Sequence, residues 1–113
     1  MIKIKCSPGM QWAVLRAMEI IDTEPDSLEM SPEETGELAR IMLDANFFCT
    51  SGYVTIRNMS SDRYKLLAKL FDVLSVKASS LFKSDLMQKK MRASATACRR
   101  KFHEMYVKKY MTE

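Results

Sequence analysis

Lys89, Arg92, Arg99, Arg100, Lys101 and Lys108 are the side chains of this chain best equipped for chemistry, and that chemistry is ion pairing with phosphates or carboxylates. They fall, with Lys90 and Lys109, in residues 84–113, a segment free of Pro and Gly whose only acids are Asp85, Glu104 and Glu113. Met87, Met91, Ala95, Cys98, Phe102 and Met105 recur there every three or four residues, the spacing of one apolar helical stripe. The bases flank the stripe or lie behind it. A helix so patterned sets its charge against solvent, an acidic neighbour or a polyanion. An ordinary solvated amphipathic helix carries the same pattern, so the pattern alone is not a binding site. Tyr106 and Tyr110 could stack on single-stranded bases, although tyrosines near a chain end more often pack on neighbouring helices.

Other residue types offer less. Nucleophilic catalysis needs a Ser or Cys activated by a base, and His103 is the only histidine. Cys98 and His103 are five positions apart on the predicted helix, which rotates them away from each other. The adjacent carboxylates Glu33 and Glu34 are explained as first-turn residues that complement a helix dipole. Three scattered glycines make no phosphate-cradling loop. Cys6, Cys49 and Cys98 are an odd number with no close pair, a poor disulfide framework and a poor zinc set, and read as small buried residues of a reducing compartment. The expectation is a protein that is not an enzyme and holds no metal or cofactor.

Charge is unevenly distributed. The net charge of +4 hides nine acids and one base, Arg40, across residues 19–44, against nine bases and three acids from Lys83 onward. A bipolar chain can bind a polyanion through one end, fold its ends together or associate head to tail. An apolar fraction of 47% is too high for a disordered protein, and 113 residues suit one domain. Apolar runs only a few residues long exclude a membrane span, and the Lys–Ile alternation at the start of the chain argues against a secretion signal. A cytoplasmic protein follows, in the host cytoplasm if the chain is viral. Ten methionines read as gap-filling core residues, with Met18, Met42, Met87, Met91 and Met105 on apolar faces.

The elements that must position these residues are legible by period. Ile2, Ile4 and Cys6 alternate with lysines, which predicts a strand. Ser7-Pro8 opens a helix over residues 8–22, with Val14, Leu15, Met18 and Ile21 as its apolar positions, and residues 22–30 read as a loop. Ser31-Pro32-Glu33-Glu34 is a capping box, and the helix it starts buries Leu38, Met42 and either Ile41 or Leu43 before stopping near Asn46. The β-branched and aromatic run over residues 47–58, around Ser51-Gly52, predicts a hairpin that pairs with the first strand. Ser60 or Ser61 caps a helix over residues 62–82, whose apolar face holds Leu67, Leu70, Phe71, Leu74, Ala78 and Leu81. Lys83-Ser84-Asp85 is a break with a fresh cap, and the last helix runs to about Tyr110.

The predicted fold is therefore α+β and helix-dominated: a small antiparallel sheet, from the N-terminal strand and the hairpin, with four helices of which the last is long and basic. It forms a single domain over residues 1–113, with strand–helix–helix–hairpin in 1–58 and a helical pair in 60–111 whose last helix packs back or projects to a partner. The order in 1–58 resembles a winged helix in topology only. Glu33, Glu34, Glu37 and Asp44 against Arg40 alone oppose docking of that second helix on phosphates. The leading function is a non-catalytic binding protein whose basic last helix docks on an acidic partner, nucleic acid first among them. The alternative is a protein adaptor or inhibitor, of the kind small phage proteins provide, that presents the acidic region 19–44, through Glu33, Glu34 and Glu37, to a basic protein surface and self-associates.

Overall fold

The computed structural model describes residues 1–46 and 52–111. It is a helix-dominated α+β structure with a small antiparallel sheet, and its contacts gather into two units, Met1–Met59 and Ser60–Glu113.

The first unit contains strand β1 (Ile2–Lys5), helices α1 (Pro8–Thr23) and α2 (Pro32–Leu43), and strands β2 (Ala45–Asn46) and β3 (Tyr53–Ile56). The sheet order is β1-β3-β2, antiparallel throughout, with Ile4 opposite Val54 and Ala45 opposite Ile56. Ile4, Val54 and Ile56 are buried, while Lys3 and Lys5 point outward and the Lys3 ammonium lies 4.5 Å from the Tyr53 ring centre. Gly52 has a φ of 80°, a left-handed conformation that favours glycine, and its carbonyl accepts from the Cys6 amide at 2.7 Å. The sheet thus gains one more bond beyond β1. The hairpin begins at Ala45, before the aromatic run that predicts it; its expected tip at Ser51, and Cys49, lie outside the described residues.

Ser7 caps α1, accepting from the Met10 amide, and Pro8 sits where a missing N–H costs no hydrogen bond. The buried line of α1 is Ala13, Val14, Ala17 and Ile21, so the expected Leu15 faces solvent and Met18 is only half-buried. The stretch expected to be a loop contains a 3-10 turn, Pro25–Leu28, which buries Leu28. The α2 capping box is complete: Glu34 N donates to Ser31 Oγ, and Ser31 N to Glu34 Oε1, each at 3.1 Å. Leu38 and Ile41 are the buried residues of α2, which ends at Leu43 instead of near Asn46 because β2 starts there, and Leu43 is 81% exposed.

The second unit contains α3 (Ser61–Val76), α4 (Ala78–Leu81), α5 (Asp85–Tyr106) and a π-helical turn, Val107–Met111. Ser60 caps α3, and Tyr64, Leu67, Leu70, Phe71 and Leu74 make its buried line. The helix expected over residues 62–82 is interrupted at Lys77. The Lys77 carbonyl then starts α4, accepting from the Leu81 amide at 2.9 Å and from the Ser80 hydroxyl at 3.0 Å. Helix α5 packs along α3, with Phe71 and Phe102 stacked at 5.8 Å and 9° between ring planes. Such a pair adds about 1 kcal/mol beyond the area it buries. Among the described residues, no helix is long and apolar enough to cross a membrane.

Removing the Phe71 ring therefore leaves a cavity beside Phe102. Phe71→Ala is expected to lower unfolding free energy by about 3–5 kcal/mol, whereas Val76→Ala, at a 75% exposed position, changes it by less than about 0.5 kcal/mol. Urea unfolding followed by far-ultraviolet circular dichroism separates the two.

Candidate nucleic-acid interface

Helix α5 is fixed at its start by two hydrogen bonds and one charge–dipole interaction. Ser84 Oγ accepts from the Met87 amide, the Asp85 carboxylate complements the helix dipole, and Gln88 Nε2 donates to the Phe82 carbonyl at 2.8 Å. Along its length Met91, Ser94, Ala95, Cys98 and Phe102 are buried. The expected stripe is thus real in its middle, while Met87 and Met105 at its ends are only partly covered.

That burial decides where the bases go. At about 100° per residue, Lys89 and Arg100 lie opposite the buried line, about three turns or roughly 16 Å apart. Both are exposed, as is Arg92. Arg92 stands between that outer line and the flank nearest α3, and on the flank itself Arg99 Nε is 3.8 Å from Asp72 Oδ1. Two exposed partners at that distance interact weakly. Lys101 is half-buried on the other flank with Lys90, and Lys108 is exposed on the π-helical turn. The six sequence-selected bases therefore do not form one dense face. Lys89, Arg92 and Arg100 make an outer row, Arg99 has an acidic neighbour, and Lys101 and Lys108 stand apart from that row.

The aromatic side chains at the end of α5 are engaged within the helical pair. Tyr110 meets Tyr64 edge-on at 5.9 Å and Tyr106 at 5.5 Å, and the Lys65 ammonium lies 5.2 Å from the Tyr106 ring centre. These contacts anchor the π-helical turn to α3. Burial pushes the Tyr64 phenol above its ordinary value of 10.0, and Tyr110 adds in the same direction.

Other candidate groups are dispersed. Cys98 is buried and His103 exposed on the same helix, and the described residues hold no cluster of three or more His, Cys, Asp or Glu able to bind a metal. Of the acidic alternatives, Glu34 closes the α2 capping box, Glu37 holds Arg40 at 2.9 Å and Glu33 is exposed. An open groove between α1 and α2, of about 500 Å³, is lined by Met18, Ile21, Met42 and Leu43 and edged by Glu19 and Asp22. Residue spacing does not mark that groove; its one sequence signal is Leu43, an apolar residue competing with Ile41 for the same buried stripe. Counted by unit, Met1–Met59 has five Lys and Arg against nine Asp and Glu, net −4, and Ser60–Glu113 has thirteen against five, net +8. No family model, curated protein or solved structure matches the chain.

The Tyr64 shift carries a stability consequence. A phenol whose folded-state pKa is raised stabilises the fold fully below the unfolded value, near 10, and that contribution is lost as pH rises through the folded-state value. Thermal unfolding midpoints should fall above about pH 10. Tyr64→Phe should flatten that alkaline fall, measured against its own midpoint at pH 8.

Proposed function

We propose that this chain is a non-catalytic binding protein of the cytoplasm whose basic helix α5 docks on a polyanion, nucleic acid first among them. The observation that supports the reading is the outer row Lys89, Arg92 and Arg100, exposed on a helix whose opposite side is buried through Met91, Ala95, Cys98 and Phe102. Packing of that side restrains the helix backbone, so the three bases are presented on a common scaffold and less ordering entropy opposes binding. Cations spaced along a rod match the regular phosphates of a nucleic-acid strand without reading sequence. The net +8 of Ser60–Glu113 adds long-range attraction to the same polyanion. Base stacking has no part in this reading, because Tyr106 and Tyr110 already have ring partners.

Arg100 is a cleaner probe than Arg99, whose reversal also sets two carboxylates against each other at Asp72. Lys89→Glu with Arg100→Glu is expected to weaken binding to a short DNA or RNA at least tenfold, read by fluorescence anisotropy at low salt. Glu33→Lys with Glu37→Lys should leave that binding unchanged or strengthen it. The inverse pattern, with a basic protein as the partner captured, supports an adaptor or inhibitor acting through the acidic region.

A further inference from the structure

The groove between α1 and α2 has no role in polyanion binding, and its chemistry is opposite to that of α5. Its floor is apolar, from Met18, Ile21 and Met42. Leu43 stands at its end, 81% exposed. Glu19 and Asp22, both exposed, edge it along α1 and sit within a unit of net −4. A groove that is apolar within and acidic at its edge fits a helix carrying apolar anchors between cations.

The same chain contains such a helix. At the start of α5, Leu86 is 77% exposed, a large apolar side chain in solvent. Lys83 and Lys89, also exposed, stand on either side of it in the chain. Spacing over the first turns places Leu86 on the outer side of α5, near the line of Lys89.

We propose that the α1–α2 groove receives the first turns of α5 from a second copy of this chain. Leu86 enters between Met18, Met42 and Leu43, and Lys83 and Lys89 meet Glu19 and Asp22. The two surfaces are different patches, so the contact is head-to-tail and each copy keeps one groove and one helix end free. Association of this kind extends with concentration unless the rotation closes a ring. Its charged edge makes it weaker as salt rises. Lys89 also belongs to the polyanion row, so bound nucleic acid competes with self-association.

Sedimentation velocity of the full chain, freed of nucleic acid by nuclease and high-salt washing, tests the proposal. Average mass is expected to rise with protein concentration at low salt and to return toward the monomer at high salt. Leu43→Glu and Leu86→Glu, at exposed positions, should each hold the chain monomeric with an unchanged circular dichroism spectrum. Two charge-swapped chains give a second arm that does not depend on those variants folding: Glu19→Lys with Asp22→Lys, and Lys83→Glu with Lys89→Glu. Each alone should stay monomeric, and their mixture should associate, because the reversed groove of one then meets the reversed helix end of the other. A wild-type chain that is monomeric at every concentration overturns the proposal. So does association unaffected by Leu43→Glu and Leu86→Glu, or a charge-swapped mixture that stays monomeric.

Discussion

Packing of α5 on α3 governs the direction of the basic side chains that α5 carries. Phe102 stacks on Phe71 while Met91, Ala95 and Cys98 are buried on the same side of α5, and this fixes the rotation of the helix about its axis. Once that rotation is fixed, Lys89 and Arg100 face solvent, and Arg99 is brought to Asp72. A helix of this polarity gains little from its own backbone bonds in water and depends on its buried line for stability. The exposed row of bases is therefore a consequence of the core, and damage to the core reaches it without touching a single base.

Much of the fold is legible in the sequence because its signals are local. Ser7-Pro8, the Ser31–Glu34 box, Ser60 and Ser84 each satisfy an amide three residues on, and a bond of that reach is encoded in adjacent residues. The sheet is legible for a similar reason, since alternation in residues 2–6 and 53–56 places Ile4, Val54 and Ile56 on one side. Other helix ends are harder to read. The break at Lys77 carries no local sequence signal, because an apolar period runs on through Ala78 and Leu81. The end of α2 is set by the pairing of Ala45 with Ile56, a contact between distant residues.

The candidate site divides along the same line. That α5 is basic and amphipathic follows from period alone. Which bases form a row does not, because the Arg99–Asp72 approach depends on the register of two helices. Leu15 and Leu43 illustrate the same limit: their types say buried, but α1 and α2 turn neighbouring residues inward and leave these in solvent. Charge asymmetry, by contrast, is visible in the chain and becomes sharper in the structure, where it separates between units of net −4 and net +8. The proposed polyanion binding and the proposed self-association both draw on this one asymmetry, and under those proposals salt and competing ligands decide between them.

The most direct test of the central claim is the salt dependence of binding to a short mixed-sequence DNA and RNA. If Lys89, Arg92 and Arg100 each neutralise a phosphate, the logarithm of the binding constant should fall against the logarithm of salt with a slope of about −2 to −3. Arg100→Glu should make that slope shallower by about one unit. Absence of binding at low salt, or binding with a slope near zero, contradicts a polyanion-binding role for α5.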